Sequence, residues 1–238
     1  MEKKLDFKIL PQPNEDTCGQ TCLQSIYHYY DDLVESGGML KEIPTFKEGG
    51  TDSVFLACHA LKRGYTATIY TYNLQLFDPT WFQSPHVDLR KRLQEQMKVK
   101  EYPKLHQISK AYLDFFDLGG KLLLQDLTTA LVRKYLRQDI PILTGLSSTY
   151  LYRSIREYGK NCVEDDMKGE PTGHFVVLCG YEKEKRNVLI ADPLESNPMA
   201  EGQYYQVGIE RVLGAILLGI LTYDANLLIL EPRKKRRK

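Results

Sequence analysis

The hydrophobic pattern near the start of the chain predicts a helix that begins beside a cysteine. Apolar residues recur at three- and four-residue steps, at Cys22, Ile26, Tyr29, Tyr30 and Leu33. This is the spacing of one buried helical stripe. Thr17 can act as the N-cap, Gln20 three residues later completes a capping-box pattern, and Gly37-Gly38 ends the helix. Cys18 is therefore expected at the first helical position.

The rest of the pattern places most of the further helices in the first part of the chain and most of the strands in the second part. Helical periods occur at residues 54–62, 88–98, 108–116, 128–137 and 209–218. Short apolar or alternating runs predict strands at residues 5–10, 65–72, 140–146, 175–181, 188–191 and 226–230. A long polar and aromatic connection, residues 147–173, precedes the last strands. Helices followed by antiparallel strands predict an α+β fold.

The length of 238 residues is enough for one domain with a sizeable core, which we expect over residues 1–232. Residues 78–118 differ in character, with several prolines, the only tryptophan and charged helical stretches. We interpret them as a helical insertion that covers a cleft. The basic run 233–238 is expected to be a solvated, disordered tail.

Composition excludes several classes of function. Hydrophobic content is 42%, and the formal net charge of +1 gives no overall attraction to nucleic acid or acidic membranes. The start of the chain has no signal-peptide pattern, and the longest apolar stretch, residues 212–221, is too short to span a bilayer. Five cysteines without paired spacing favour reduced thiols in a cytoplasmic protein. Zinc-ligand spacing and a phosphate-binding loop are missing, so no cofactor or metal is expected.

Four residues supply the groups that a thiol acyl-transfer site needs: Cys18, His174, Asp192 and Gln12. The N-terminus of a helix favours a thiolate. The midpoint of His174 and Asp192 falls in the charged turn 182–187. A regular hairpin would therefore place these two residues directly opposite each other. Spacing alone suggests a histidine–aspartate pair.

Each of these residues also has a structural interpretation. Cys18 could be a buried thiol of the core, and His174 could be a structural residue at the start of a strand. Asp192, before Pro193, could begin a turn, and Gln12, between two prolines, could be an ordinary loop residue. The cap beside Cys18 and the expected register of His174 with Asp192 favour the functional interpretation.

Gln12-x5-Cys18-Gly19, Gly173-His174-Phe-Val-Val-Leu and Ile190-x-Asp192-Pro193 resemble the papain-like cysteine peptidases that process double-glycine leader peptides, and their stand-alone relatives. The resemblance implies a papain-like fold, in which the helix with the nucleophile packs on an antiparallel sheet. It implies Cys18 as nucleophile, His174 as general base, Asp192 as the residue that orients the imidazole and Gln12 as oxyanion donor. The sequence departs from the family in placing Thr17 between Asp16 and Cys18.

Three functions are compatible with these residues. The first is a cysteine peptidase or amidase that cleaves a peptide or isopeptide amide through an acyl–Cys18 intermediate. The second is an acyltransferase or cyclase, in which an amine replaces water at the same site. The third is a catalytically silent adaptor that binds peptides through the segment 78–118 and the tyrosine-rich residues 147–158. The expected partner is a peptide or protein substrate, with no nucleic acid and no membrane.

Overall fold

A computed structural model describes residues 2–47, 49–159 and 161–233. Its strands are β1 (Lys3–Lys4), β2 (Tyr65–Thr71), β3 (Lys121–Leu123), β4 (Ile142–Ser147), β5 (Glu157–Tyr158), β6 (Val163–Glu164), β7 (Gly173–Glu182), β8 (Asn187–Ala191), β9 (Tyr204–Gly208) and β10 (Asn226–Pro232). Its helices are α1 (Cys18–Tyr29), α2 (Ser36–Glu42), α3 (Ser53–Lys62), α4 (Leu89–Val99), α5 (Pro103–Asp117), α6 (Thr129–Arg137), α7 (Ser148–Tyr152) and α8 (Ile209–Leu218). Except for residue 233, the expected basic tail lies outside the described residues.

Within the described part of the chain, eight strands form one sheet in the order β3-β2-β10-β4-β7-β8-β9, with β1 also paired to β7. Every pairing in it is antiparallel except β2 with β3, which is parallel. Strands β5 and β6 form a separate two-stranded sheet. The α+β fold class predicted from the sequence is confirmed.

Helix α1 packs closely against β7, and this contact brings the first turn of α1 to the end of the sheet. A Cβ atom at Gly19 would lie 3.1 Å from the Phe175 ring and 2.8 Å from Thr51 Cγ2. The missing side chain therefore lets the helix approach the strand. Cys22, one turn later, is fully buried, and its Sγ lies 3.4 Å from the Phe175 carbonyl oxygen. Cys18 and the start of β7 are held as neighbours by this packing.

The hairpin of β7 and β8 is irregular. Its pairs Gly180–Leu189 and Leu178–Ile190 enclose a β-bulge at Cys179. A bulge of this kind adds one residue to one strand and shifts the register beyond it.

Several predicted boundaries are wrong. Helix α1 ends at Tyr29 instead of continuing to Gly37-Gly38, which lie inside the separate helix α2. Leu33, expected on the buried stripe, is 80% exposed. The strand predicted at residues 5–10 is wrong: the short strand β1 lies just before this range, at Lys3–Lys4. Strands β3 and β9 were missed, because β3 has three residues and β9 follows a turn-rich loop.

Residues 78–118 contain a short 3-10 turn, helix α4 and helix α5. The two helices confirm the predicted helical content, although α5 begins five residues earlier than expected. Helix α5 packs on α3 and buries Leu105, Ile108, Tyr112 and Phe115. These side chains belong to the same hydrophobic cluster as the sheet. The segment also connects the two parallel strands β2 and β3.

Candidate active site

Cys18 is the first residue of α1, as the sequence predicts, but the cap that precedes it is different. Thr17 makes no side-chain hydrogen bond to α1. Its hydroxyl donates instead to the carbonyl of Asn14 at 2.9 Å. The Asn14 side chain accepts from the N–H of Asp16 at 3.1 Å. The capping box thus belongs to the 3-10 turn Glu15–Thr17, and it leaves the N-terminus of α1 open beside the thiol.

The imidazole of His174 is held by Asp192, with 2.8 Å between Nε2 and Oδ1. The direct opposition predicted for these residues is wrong. Val177 pairs with Ala191, so Asp192 comes opposite Val176, two residues from His174 on the same face. Diagonal neighbours of this kind remain within reach of longer side chains. His174 and Asp192 pair diagonally for two reasons. The turn between β7 and β8 is not centred where the sequence predicts, and the bulge shifts the register of the two strands.

Asp192 is completely buried and accepts four hydrogen bonds. Oδ1 accepts from His174 and from the N–H of Leu194 at 2.9 Å, and Oδ2 accepts from the hydroxyls of Tyr152 and Tyr205, each at 2.6 Å. Burial by itself opposes ionisation, but these donors outweigh it and keep the pKa of Asp192 below its ordinary value. The carboxylate is therefore charged and fixed in orientation.

Cys18 and His174 line the same cleft, close enough for the charge of a Cys18 thiolate to act on the imidazole. Asp192 engages Nε2 of the ring, which leaves Nδ1 as the nitrogen available to the thiol. Burial alone would lower the pKa of His174, but the charges of Cys18 and Asp192 and the hydrogen bonds to both raise it to about 10. The imidazole is thus protonated at neutral pH beside a group that can become a thiolate. This pair is what a thiol nucleophile requires.

Cys18, His174 and Gln12 line one cleft of about 500 Å³. Asp192 lies behind His174 and does not reach the cleft surface. Gln12 is fixed through its backbone, whose N–H donates to the Pro193 carbonyl at 3.0 Å. Its side-chain Oε1 is buried without a hydrogen-bond partner among the described residues. The amide oxygen therefore has unused accepting capacity beside the cleft.

The described residues contain no group of three or more histidine, cysteine, aspartate or glutamate side chains arranged to hold a metal ion. Over the same residues, no helix is both long enough and apolar enough to cross a bilayer.

The chain matches the Peptidase_C39 like family over residues 4–210. It belongs to that family. No curated protein matches this C39-like chain. Among solved structures, it is similar to the peptidase domain of Streptococcus ComA, a bi-functional ABC transporter involved in quorum sensing, with 14% identity, a TM-score of 0.44 and coverage of 95% of this chain and 99% of that one.

Two further solved structures are similar to this C39-like chain. A double glycine motif protease from an AMS/PCAT transporter, in complex with the leader peptide, has 12% identity, a TM-score of 0.47 and coverage of 98% and 96%. A C39-like peptidase from Bacillus anthracis has 15% identity, a TM-score of 0.45 and coverage of 99% and 100%.

The cleft of this C39-like chain also holds charged residues that sequence reasoning missed. Asp224 and Lys104 line it together with Glu157, Glu15 and Asp16. Lys104 comes from α5, so the segment 78–118 reaches the cleft through at least this residue. Nothing in the local pattern singles these residues out, because they converge from four distant parts of the chain.

The remaining cysteines differ sharply in environment. Cys22, Cys58 and Cys179 are buried, and burial raises the pKa of each thiol. Cys162 is exposed and lines the cleft. Three of the four other thiols are therefore poor nucleophiles at neutral pH.

Proposed function

We propose that the chain is a thiol peptidase that cleaves a peptide or isopeptide-type amide through an acyl–Cys18 intermediate. The main support is that Cys18 and His174 open onto one cleft while Asp192 holds the His174 imidazole from behind. Membership of the Peptidase_C39 like family supports the reaction class. The third partner, Asp192, has a fully satisfied carboxylate.

In the acylation step, the Cys18 thiolate attacks the carbonyl carbon of the scissile amide. The carbonyl electrons move to oxygen, and the Gln12 side-chain N–H and the Cys18 backbone N–H hold this oxyanion. Collapse of the tetrahedral intermediate breaks the C–N bond. His174 gives its Nδ1 proton to the leaving amine, which departs neutral. The products are the free amine and a thioester on Cys18.

In the deacylation step, neutral His174 takes a proton from water as the water attacks the thioester carbonyl. The C–S bond then breaks, the carboxylic acid leaves, and Cys18 returns to the thiolate beside protonated His174. Asp192 stays ionised throughout and fixes the imidazole orientation. No cofactor takes part in these steps.

The first substrate to test is a peptide cleaved after a double glycine, the class that the sequence resemblance implies. The test uses a synthetic peptide with an internal Gly-Gly and a quencher pair. Rapid acid quench and mass spectrometry would detect a covalent adduct on the tryptic peptide that contains Cys18. Cys18→Ala should abolish cleavage and adduct, and the matched variant Cys22→Ala, one turn along α1, should keep both.

Added amine nucleophiles extend the same experiment. The ratio of aminolysis to hydrolysis measures whether water or an amine is the natural acceptor. Cleavage that persists in Cys18→Ala would contradict the proposal. Failure to label Cys18 with either the peptide or iodoacetamide would favour the binding-module alternative.

A further inference from the structure

The cleft beside Cys18 is lined mainly by negative charge. Lys104 is the lone lysine or arginine that reaches it among the described residues, whereas four carboxylates do so. The four are Glu15, Asp16, Glu157 and Asp224. None of them belongs to an ion pair within the part of the chain that the structure describes. A peptide that enters the cleft therefore meets carboxylates that no contact within the protein neutralises.

Asp224 differs from the other three carboxylates because it is buried, with only 8% of the residue exposed. A Cβ atom at Gly173 would overlap Asp224 Oδ2 and would lie 2.6 Å from Thr222 Oγ1. The carboxylate and the hydroxyl thus lie together against the Gly173 backbone. The Thr222 hydroxyl has a single proton, and the Gly219 carbonyl oxygen competes for it at 3.2 Å. The Asp224 carboxylate therefore lines the cleft with accepting capacity to spare.

The other two buried carboxylates of the described chain have structural partners that the Asp224 side chain lacks. Asp192 accepts four hydrogen bonds. Asp52 caps α3 by accepting from the Val54 N–H at 2.9 Å. Asp224 engages its surroundings through its backbone instead, whose N–H donates to the Gly219 carbonyl at 2.8 Å. A buried charge without such partners lowers stability, and a cationic ligand in the cleft would offset that loss.

Lys104 is held by other groups. Its Nζ lies 4.5 Å from the centre of the Phe46 ring and 4.7 Å from that of Tyr223. It also lies 3.5 Å from the Thr222 carbonyl oxygen. Cation–π contacts on two sides restrict the ammonium. Lys104 therefore weakens the negative potential of the cleft without forming an ion pair with Asp224.

We propose that Asp224 is a specificity-determining residue, which pairs with a lysine or arginine side chain of the peptide substrate close to the scissile amide. The inference rests on the proposed thiol-peptidase function and names its substrate class, a peptide with a basic residue near the cleaved bond. Successive side chains of a strand point to opposite faces, so the Gly173 contact places Asp224 on the face of β7 away from the His174 side chain. Asp224 therefore acts on the substrate and not on the imidazole. The three exposed carboxylates of the cleft attract the same charge over a longer range.

The charge of Asp224 depends on pH. Burial raises the pKa of Asp224 to about 7, and the like charge of Asp52 acts in the same direction. The Thr222 hydroxyl and the positive charges of Lys104 and His174 oppose this rise. Asp224 is neutral below its pKa and charged above it. The preference for a basic side chain should therefore strengthen as the pH rises through neutrality.

The test compares two peptides that differ in one charge. Each contains an internal Gly-Gly, with lysine or the uncharged acetyl-lysine placed in turn at the two positions on either side of the double glycine. For at least one position, the kcat/KM of the wild-type chain should be about tenfold or more higher with lysine, as expected for a hydrogen-bonded charge. This ratio should rise between about pH 6 and 8. Asp224→Asn should bring it close to one at each pH.

Two further variants keep the inference testable if Asp224→Asn fails to fold. Lys104→Met removes the competing cation, so the ratio should increase. Glu157→Gln removes an exposed carboxylate of the cleft, so it should lower the ratio by no more than about fivefold. Equal cleavage of both peptides by the wild-type chain at every position would overturn the proposal. A lower ratio in Lys104→Met would do the same, as would a lysine preference that is independent of pH or survives in Asp224→Asn.

Binding measurements separate this inference from the proposed function. The full chain with Cys18→Ala is titrated with the same peptides carrying a fluorophore, and anisotropy gives each Kd without turnover. Tighter binding of the lysine peptide, lost when Asp224→Asn is added, would support the inference even if the wild-type chain cleaves neither peptide. That combination would refute the proposed function alone. Equal binding and equal cleavage of the two peptides would refute the inference and leave the proposed function standing.

Discussion

At the scale of single residues, the site depends on how completely one carboxylate is satisfied. Asp192 accepts from an imidazole, a backbone N–H and two tyrosine hydroxyls. Hydrogen bonds to a buried charged group contribute about 1.5–3 kcal/mol each. Each tyrosine therefore contributes to both the orientation and the ionisation of Asp192.

Tyr205→Phe should lower turnover about tenfold or more, by the loss of one such bond. With a donor gone, the depressed pKa of Asp192 rises toward its ordinary value. Activity should then be lost at a higher pH on the acidic side. The matched control is Tyr204→Phe on the same strand, whose hydroxyl contacts Ile9 and Phe7 instead. An unchanged pH profile in Tyr205→Phe would remove the tyrosine from the mechanism.

Gln12→Ala should reduce turnover by about 10²–10³, because it removes a donor that acts mainly in the transition state. KM should change little. Gln12→Glu should be as damaging, since it places an acceptor and a negative charge beside the oxyanion. Steady-state kinetics on the Gly-Gly peptide checks both variants. If both are folded and nearly as active as wild type while Cys18→Ala is inactive, Gln12 is not the oxyanion donor.

Asp224→Asn should stabilise the fold at alkaline pH. The pKa of Asp224 is raised to about 7 in the folded chain, against about 3.9 in an unfolded one. Its ionisation therefore removes stability as the pH rises between these values, up to about 4 kcal/mol. The asparagine variant lacks this loss, so its gain over wild type should be large at pH 8 and vanish near pH 4. Urea unfolding at both values measures it, and a gain that does not change with pH would contradict the assignment.

The sequence predicts the candidate site residues that belong to motifs, but not the residues that surround them in the folded chain. Cys18, His174 and Asp192 stand beside local signals: a helix start, a strand start and an Asp-Pro turn. Tyr152, Tyr205 and Asp224 reach the site only through tertiary packing. No periodicity marks such residues, because their neighbours in space are distant in the chain. The exact register of the hairpin could not be predicted either, because a β-bulge has no reliable signature in a single sequence.

At the scale of elements, the boundaries set by caps were the most predictable. Helix α3 starts after Asp52 and α6 after Thr128, and each of these side chains accepts a hydrogen bond from a backbone N–H of the first turn. Helix α1 was predicted too long because Tyr29, Tyr30 and Leu33 continue the apolar spacing past its end. The tyrosines there pack by their rings, so apolar character continues without a helix.

Helix α5 provides a test of whether residues 78–118 fold with the rest of the domain. Phe115 is fully buried, and Phe115→Ala should cost about 3–5 kcal/mol. Phe116→Ala, at the half-buried neighbouring position, should cost much less. Unfolding is followed by the fluorescence of Trp81, which lies in this segment, and by far-UV circular dichroism. Coincident transitions are expected for a single cooperative unit, and a separate Trp81 transition would show an independently folding insertion.

At the scale of the whole molecule, a nearly neutral chain combines two parts of opposite charge. The formal net charge is +1, but residues 234–238 carry five positive charges. Without them the formal net charge becomes −4. A near-neutral total therefore conceals an acidic body.

Removal of residues 234–238 should leave the melting temperature and peptide cleavage unchanged, because strand β10 ends at Pro232 and charged termini rarely contribute to a core. Retention on a cation exchanger should fall strongly. Thermal melts, cleavage assays and chromatography of the two chains side by side make the comparison. A loss of cleavage in the shortened chain would mean that the basic segment takes part in binding substrate.

The order of strands in the sheet constrains how the protein can be made in a cell. Strand β10 pairs with β2 on one side and β4 on the other, although it is the last strand in the sequence. During synthesis from the N-terminus, β2 and β4 therefore emerge long before the strand that joins them, and both leave unpaired edges. A nascent chain that has reached Asp192 carries every residue of the proposed triad but not yet β9 and β10, the strands that complete the sheet. We expect the peptidase to become active only after synthesis has passed β10, with a need for chaperones until then.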